Sequence, residues 1–223
     1  QVRAGWEVTV PNSMESVGGA ELTVKEDQSV LASGANPSTE TYILEFDLGS
    51  DPIQAIRLEA LTDPSTVNGG AGRGSNGNFV LTEFEASFSG KPTSDQPKRA
   101  GEFVPVKIVS AEADYSQKDY NIALAIDGKL DRKGWAVDGH QKIENRTATF
   151  ALKRPVQDGR LRIKLIHRFG QSHHIVRFRT AIWRHKVAPP SLEEAELLSI
   201  APAKRTEAQV RSVHWLLAQR FGG

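Results

Sequence analysis

The side chains best suited to binding a ligand lie in one long glycine-rich segment, residues 63–78. It carries Arg73, Asn76 and Asn78, whose guanidinium and amide groups hydrogen-bond hydroxyl or anionic groups. Long loops on a rigid scaffold are frequent ligand sites, so the segment predicts binding. Its run 72–77 matches G-x-G-x-x-G but opens a strand rather than a helix, so we exclude a dinucleotide fingerprint.

A second set of candidates combines one aromatic ring with polar partners. Trp135 lies in the turn-rich stretch 127–140 and offers a surface for stacking on a sugar ring, with capping of the core as the alternative. His140, His174 and Arg179 complete the predicted ligand-binding set. The histidines near the end of the β-rich region lack the spacing of a metal site, which favours hydrogen bonding at a strand turn.

The sequence contains no catalytic constellation. Cysteine is absent, and the G-x-S-x-G motif of serine hydrolases does not occur. Carboxylates such as Glu83, Asp114 and Asp127 are too numerous for a glycosidase pair to be selected. We therefore expect no catalytic activity from this chain, and the activity of a longer parent protein is left open.

One turn offers oxygen ligands for a metal ion. Asp127 and Asp131 are candidate donors for a structural calcium ion, with an ordinary Asp-Gly turn as the alternative. No other cofactor is predicted.

Glu83 stands at an expected β-bulge near Thr82, where its carboxylate either serves a site or accepts hydrogen bonds from the bulge itself.

The charge of the chain is nearly balanced but unevenly distributed. The formal net charge is +1, which argues against nucleic-acid binding. Residues 1–99 carry a net charge of −7 and residues 100–186 a net charge of +8, so the two segments attract each other.

Five cations alternate along two predicted strands of the second segment: Arg160, Arg162, Lys164, Arg177 and Arg179. If these strands are neighbours with the same face outward, the five side chains form a surface for carboxylate or sulfate groups. The alternative is that they pair with the acidic first segment.

The composition is that of a folded protein without a membrane span. Hydrophobic residues make up 39% and charged residues 25% of the chain, and no apolar run approaches the roughly 20 residues that a transmembrane helix requires. The chain begins at Gln1 without a leader pattern. We expect it to be a piece of a longer protein.

Alternation of apolar and polar residues predicts an all-β body. Residues 42–48 and 56–60 alternate on either side of a turn at 49–52, which predicts a strand pair with one buried face. Further alternating runs occupy 79–88, 104–108, 122–126, 148–152, 161–165 and 176–182. Short strands separated by turn residues predict an antiparallel jelly-roll β-sandwich.

The end of the chain predicts a short C-terminal helical extension. Ser191 with Glu194 and Thr206 with Gln209 form two capping boxes. On the second helix one apolar face is predicted, with Trp215 nearly opposite. The members of that face are Val210, Val213, His214, Leu217 and Phe221, and Gly222 is the predicted stop.

Two domain arrangements follow from these patterns. Residues 1–186 are expected to form one β-sandwich, whose halves 1–99 and 100–186 are pseudo-repeats or, alternatively, separate units. Residues 187–223 are expected to connect this body to a C-terminal domain.

The order of several segments along the chain resembles the order found in a known protein family. They are 27–37, 56–65 and 72–83, then 111–117, 125–128, 134–137, His173-His174 with 177–179, and the connector 200–206. Together they resemble the large planctomycete-type proteins that join a cytochrome-c-like domain to domains of unknown function. The strand pattern is similar to discoidin-like and galactose-binding-like jelly rolls. One departure is Asn145-Arg146-Thr147, where family members carry Pro-His; Arg146 favours an anionic ligand.

The resemblance implies a non-catalytic, polysaccharide-binding module that holds a larger secreted or periplasmic protein near its substrate. The cations of the second segment and Arg146 add an expected preference for anionic glycans. The alternative is a structural domain whose basic face and helices dock neighbouring domains of the same polypeptide. Exposure of the helix face that bears Trp215 would favour this alternative. Neither nucleic acid nor a membrane is an expected partner.

Overall fold

The computed structural model describes residues 5–91, 101–185 and 189–221. Over these residues the protein is mainly β, with short helices at the C-terminal end. The strands are β1 Trp6–Thr9, β2 Ser13–Ser16, β3 Ala20–Val24, β4 Val30–Gly34, β5 Glu40–Leu48, β6 Ile53–Leu61, β7 Val80–Leu81, β8 Glu83–Gly90, β9 Val104–Pro105, β10 Ile108–Ala113, β11 Trp135–Ala136, β12 Arg146–Val156, β13 Gly159–His167 and β14 Arg177–Trp183. The α-helices are α1 Leu192–Ser199 and α2 Glu207–Phe221.

Two antiparallel sheets form the body. The first has the order β10-β12-β6-β14-β4-β3, with β1 also paired to β14, and the second has the order β2-β5-β13-β8-β9. Strands β7 and β11 form a separate two-stranded sheet. Both segments of opposite charge, 1–99 and 100–186, contribute strands to both main sheets.

The two main sheets face each other across one shared hydrophobic core. Phe84 of the second sheet and Phe150 of the first are stacked, with ring centroids 3.8 Å apart. Tyr42 and Phe178 make a second stacked contact between the sheets at 5.7 Å. Because these rings exclude water from both inner faces, they stabilise a sandwich-like arrangement.

The turn at 49–52 does not close a hairpin. Strands β5 and β6 form as predicted, but β5 pairs with β2 and β13 in the second sheet, whereas β6 pairs with β12 and β14 in the first. The prediction that they pair with each other was wrong. Both strands bury one face in the same core from opposite sides, and alternation alone does not distinguish that arrangement from direct pairing.

Another predicted strand is a short helix. Residues Ile122–Ile126 form a 3₁₀ turn in which Ile122 and Ala125, three residues apart, are buried. Asn121 caps it, because its side-chain oxygen accepts a hydrogen bond from the amide of Ala123 at 2.9 Å. The local cap therefore outweighs the β pattern of the apolar residues.

The expected phase change occurs at Thr82. Before it, Val80–Leu81 pairs with β11, and after it β8 pairs with β13. Thr82 fixes the step, since its amide donates to the carbonyl of Ile166 and its hydroxyl accepts from the amide of Arg168. Leu81 and Phe84 thereby both reach the core.

Both predicted capping boxes are present. The amide of Glu194 donates to Ser191 Oγ and the amide of Ser191 to Glu194 Oε2. The same reciprocal pair joins Thr206 and Gln209. These bonds satisfy amide groups that the first turn of a helix leaves unpaired.

The buried stripe of α2 differs from the predicted face. Val213 and Leu216 are buried, whereas His214 and Leu217 are exposed. The helix packs against α1, so only a narrow stripe with a three-residue spacing needs to be apolar. The Phe221 side chain and Gly222 lie outside the described residues. Among the described helices, none is long and apolar enough to cross a membrane.

Candidate functional site

Four connections of the protein emerge at one end of the two sheets, here called the loop end. Strand pairing places Leu61 beside Arg177, Ala60 beside Arg146, and Glu40 beside His167. Hence the connections 35–39, 62–79, 114–145 and 168–176 all lie at that end. Most of the predicted ligand-binding residues fall within them, so the structure brings these residues to one region.

The glycine-rich connection is held by its own backbone. A Cβ atom on Gly72 would lie 2.0 Å from the carbonyl oxygen of Asn78, and one on Gly70 would lie 2.3 Å from that of Gly77. Only glycine allows this approach. The glycines therefore fold the loop back on itself and close it, rather than opening space for a phosphate.

Asn78 organises this loop and is not available to a ligand. It is buried, its side-chain nitrogen donates to Gln117 at 2.9 Å, and its side-chain oxygen accepts from the amide of Gly139 at 3.0 Å. Asn76 is partly exposed and accepts from the amide of Asn78. The assignment of Asn78 to ligand contact is corrected, because its polar atoms are already bonded within the fold.

Trp135 lies in the core. Its side chain is fully buried, its indole nitrogen donates to the carbonyl of Tyr115 at 2.9 Å, and its ring meets Phe79 edge-on. A buried ring cannot stack on a sugar, so the prediction of a tryptophan stacking surface was wrong. The alternative, a tryptophan that caps the core, describes the observed contacts.

His174 is also buried, whereas His140 is exposed. Neither ring nitrogen of His174 has a hydrogen-bond partner of ordinary length and angle. Burial lowers the pKa of His174 to about 4, although the Glu40 carboxylate opposes this shift. His167, with its ring centroid 5.8 Å away, is buried too, and its pKa is lowered well below the ordinary value for the same reason. His174 therefore belongs to a neutral buried pair and does not reach a ligand.

Arg73 borders a groove at the loop end. Its guanidinium donates to the carbonyl oxygens of Ala35 and Gly34 at 2.7 and 2.8 Å, and the side chain of Asn36 donates to the Arg73 carbonyl. The groove has a volume of about 310 Å³ and is lined by Ala32, Ser33, Gly34, Asn36, Ser65, Thr66, Val67, Arg73 and Val176. Hydroxyl, amide and guanidinium groups thus surround one concave surface.

The five cations of the second segment do not form one surface. Arg160, Arg162 and Lys164 lie on β13 in the second sheet, whereas Arg177 and Arg179 lie on β14 in the first. All five pair with carboxylates of the first segment, namely Glu45, Glu85, Asp27, Asp63 and Glu59. The pairing alternative therefore describes the structure.

Arg179 illustrates the correction to the predicted site. Its guanidinium lies 2.7 Å from Glu59 and also donates to the carbonyl of Asp27 at 3.3 Å. Its neighbour Arg177 binds Asp27 and Asp63. Burial would raise the pKa of Asp27, but hydrogen bonds from Ser29 and the Arg177 contact lower it to about 2. These groups hold the β3–β4 turn on β14. Arg146 is likewise buried, with its guanidinium 2.9 Å from Glu144 and over the Tyr115 ring.

Two of the acidic candidates, Glu83 and Asp127, lie close enough to interact electrostatically. Glu83 is buried, with both carboxylate oxygens 3.3 Å from the amide of Gly128. Asp127 and Asp131 each accept a hydrogen bond from a backbone amide two residues onward. Over residues 5–91, 101–185 and 189–221, no group of three or more potential ligands could hold a metal ion. A calcium ion at this turn stays a prediction.

Burial gives Glu83 an unusual titration. It raises the pKa of this carboxyl to about 7, and the negative charges of Asp127 and Glu85 add to the shift, while the Gly128 amide opposes it. Near neutral pH the group is therefore partly protonated.

One cluster at the loop end was not found by sequence reasoning. Tyr120 and Phe169 are partly exposed, with ring centroids 6.2 Å apart in an edge-on arrangement. The guanidinium of Arg132 lies over the Phe169 ring at 5.1 Å, and the ammonium group of Lys133 over the Tyr120 ring at 4.4 Å. We call these four residues the cation–ring cluster. Tyr120 and Phe169 are 49 positions apart in the chain, so no local pattern joins them.

The α2 surface is the other exposed feature. Trp215 is 61% exposed and Leu217 is 41% exposed, whereas Val213 and Leu216 are buried. A large aromatic side chain thus lies in solvent on the outer side of the helix.

A scan against protein-family models found no match, and a search of curated proteins found none either.

Proposed function

We propose that this protein is a non-catalytic module that binds a polysaccharide at the loop end. The observation that carries the proposal is the groove beside Arg73, which brings Ser33 and Asn36 together. Its volume of about 310 Å³ lies at the lower end of the range of about 300–1,000 Å³ usual for ligand pockets. Hydroxyl and amide groups match the hydroxyl groups of a sugar as donors and acceptors.

A second, larger depression of the surface is less suited to a ligand than the Arg73 groove. It has a volume of about 410 Å³ and is lined by Val24, Lys25, Glu26, Asp27 and Arg177. Arg177 there is bonded to Ser29, Asp27 and Asp63. In the Arg73 groove, by contrast, Asn36 is exposed, and its side-chain nitrogen donates one hydrogen bond. This leaves its side-chain oxygen Oδ1 available to a ligand.

The finer fold assignment belongs to the same proposal. A galactose-binding-like jelly roll agrees with two antiparallel sheets around one core and with long connections at one end. The resemblance to segments of planctomycete-type multidomain proteins, and the extracytoplasmic location that it implies, rest on the motif order given above. A polysaccharide ligand is consistent with such a location.

Affinity electrophoresis tests the proposal. The protein is run through gels that contain neutral, uronic or sulfated polysaccharides, and at least one is expected to retard it. The double variant Ser33→Ala and Asn36→Ala removes two polar groups of the groove, and we expect it to lose the retardation. The matched control, Ser50→Ala with Gln157→Ala, removes a hydroxyl and an amide at exposed positions of the opposite end and should migrate as the wild type does.

The outcomes separate cleanly. If no polysaccharide retards the wild type, the proposal is wrong. If both double variants lose retardation equally, the groove is not the site.

A second candidate function, docking of a neighbouring domain, is favoured by the exposed Trp215 alone. Exposure of 61% for a tryptophan is unusual unless a partner covers it. Trp215→Ala leaves glycan retardation unchanged if the groove is the site, and it weakens association with the rest of a longer polypeptide if docking is the function.

A further inference from the structure

The cation–ring cluster suggests which class of polysaccharide is bound. Five arginines on or directly after the strands are paired with carboxylates within 4.0 Å. They are Arg160, Arg162, Arg177, Arg179 and Arg184. Arg132 and Lys133 are exposed, and among the ion pairs of the described residues neither takes part. The nearest carboxylate along the chain, that of Asp131, accepts from the backbone amide of Lys133.

The aromatic rings fix where these two charges lie. An exposed lysine or arginine ordinarily samples many rotamers, and ordering it costs free energy. Contact with the Phe169 and Tyr120 rings, at 5.1 and 4.4 Å, confines each cationic group to a place beside the ring pair. Two cations confined in this way are a preorganised site for an anion, because less entropy is lost when the anion binds.

The backbone beneath the cluster is strained and tightly held. Gly170, Gln171 and Ser172 have φ angles of 96°, 53° and 59°, a run of left-handed residues of which two are not glycine. The amide of Gln171 donates to Ser38 Oγ, and the hydroxyl of Ser172 donates to the carbonyls of Asn36 and Pro37. Strain of this kind persists where the surroundings impose it, often at ligand sites. Here it fixes the loop that carries Phe169.

The same bonds connect the cluster to the groove. Asn36 and Pro37 lie between Ser172 on one side and Arg73 on the other. The His173 ring contacts Phe169 with centroids 4.7 Å apart and also lies against Gly74. Residues 36–37 and 172–173 thus join the groove to the loop that carries Phe169.

We propose that Arg132 and Lys133, held over Phe169 and Tyr120, bind the carboxylate or sulfate groups of an anionic polysaccharide whose neutral hydroxyl groups occupy the Arg73 groove. The inference rests on the proposed function, since it names the ligand class of the same loop end. Arg132 supplies a planar pair of donors for a two-oxygen anionic group, and Lys133 adds a second charge. The rings position the cations and do not themselves need to stack on the sugar.

Matched polymers test this directly. Retardation by dextran sulfate is compared with that by dextran, and retardation by polygalacturonate with that by its methyl ester, because each pair differs only in anionic groups. We expect the anionic member of at least one pair to bind at least about tenfold more tightly, as for a few charge-assisted hydrogen bonds. The pair that shows the difference identifies sulfate or carboxylate as the group that is bound.

The variants assign the difference to the cluster. Arg132→Gln with Lys133→Gln is expected to remove the preference for the anionic polymer and to leave binding of the neutral polymer unchanged. The control Lys153→Gln with Arg154→Gln removes an adjacent lysine and arginine, both exposed, on β12, so the change in net charge is identical. Phe169→Leu keeps both charges, and a weaker preference in this variant would show that the ring positions Arg132.

Each outcome decides a separate point. If anionic and neutral polymers bind equally, the assignment to the cluster is wrong while the proposed function stands. If both charge variants lose the preference to the same extent, net charge and not the cluster is responsible, and the inference fails. If a single-stranded nucleic acid in the gel retards the protein as strongly as dextran sulfate does, the choice of a glycan is overturned. If no polymer binds, both the inference and the proposed function are wrong.

Discussion

The indole nitrogen of Trp135 donates a 2.9 Å hydrogen bond to the carbonyl oxygen of Tyr115, and this bond ties β11 to the segment that follows β10. The Trp135 ring is fully buried and contacts Phe79 edge-on, with centroids 5.1 Å apart. Tyr115 is covered in turn, because the charged groups of Lys142 and Arg146 lie over its ring at 3.8 and 4.7 Å. Trp135 therefore anchors the long connection 114–145 to the core.

Replacing Trp135 is expected to affect stability rather than ligand recognition. Trp135→Ala should lower the free energy of unfolding by about 3–5 kcal/mol, because it leaves a large cavity in a closely packed core. Urea denaturation followed by circular dichroism measures the change. Trp215→Ala is the control, since Trp215 is 61% exposed and an exposed substitution changes stability by about 0.5 kcal/mol or less. A stable Trp135→Ala protein that has lost glycan binding would restore the stacking role.

The positions of many strands were predictable from the sequence, because a strand with one face in the core shows alternating apolar residues. Alternation located β5 and β6 but not their partners, because a strand that crosses to the opposite sheet keeps the same pattern. The capping boxes at Ser191 and Thr206 were predictable because their hydrogen bonds are local. Ile122–Ile126 was mistaken for a strand because a cap from Asn121 competes with the apolar pattern over so short a run.

Glu83 should destabilise the protein at alkaline pH. Burial raises its folded-state pKa from 4.5 to about 7, so between these values the folded state binds the proton more tightly than the unfolded state does. The free energy of unfolding therefore falls as pH rises through this window. Glu83→Gln should be more stable than the wild type at pH 8, by roughly 1–3 kcal/mol, and the advantage should vanish below pH 4.5.

Thermal unfolding of both proteins from pH 4 to pH 8 provides the measurement. Glu15→Gln serves as the control, because Glu15 is an exposed carboxylate on β2, and an exposed substitution changes stability by about 0.5 kcal/mol or less. A stability difference between wild type and Glu83→Gln that does not vary with pH would contradict the assignment.

Arg179 should matter to stability and not to glycan binding. Its guanidinium is partly exposed and lies 2.7 Å from Glu59 on the neighbouring strand β6. Arg179→Gln is expected to lower the free energy of unfolding by about 1 kcal/mol or less, as for partly exposed ion pairs. Affinity electrophoresis should show unchanged retardation. Lost retardation in a folded variant would return Arg179 to the ligand site.

The site itself was only partly predictable. Sequence reasoning selected Arg73 because a guanidinium in a long loop is a frequent ligand group, and the structure places it at a groove. It also selected Asn78, which is bonded to Gln117 and Gly139 of the connection 114–145, and His174, which is buried. Polar residue type in a loop indicates capacity for hydrogen bonding, but only the fold determines whether a ligand or the protein itself uses that capacity.

The buried histidine pair should make the loop end sensitive to acid. Burial lowers the pKa of His174 to about 4 from 6.5 in the unfolded chain, so between these values the unfolded state binds the additional proton. The free energy of unfolding then decreases as pH falls from 6.5 towards 4, by at most about 1.4 kcal/mol per pH unit for one proton. His167 acts in the same direction.

The charged and titratable groups that act on His174 are Glu40, Arg73, His173 and His167. Glu40 favours the protonated form, but its carboxylate is already bonded to Ser16 and to the amides of Gly18 and Thr41. Glu40 therefore does not turn towards the imidazole without breaking those bonds. His174→Phe removes the proton uptake while keeping an aromatic ring of similar shape, and the hydrogen bond to the Ser38 backbone, which favours the protonated form, is removed with it.

Thermal unfolding at pH 7.5, 6, 5 and 4.5 should show that His174→Phe loses stability more slowly than the wild type as the pH falls. The difference should grow throughout this window, since only the wild type must bind the proton in its unfolded state. His140→Phe, at an exposed position of the same end, controls for the introduction of a phenylalanine. If wild type and His174→Phe show parallel curves down to pH 4.5, His174 binds its proton as readily in the folded protein as in the unfolded chain, and the assignment of a lowered pKa is wrong.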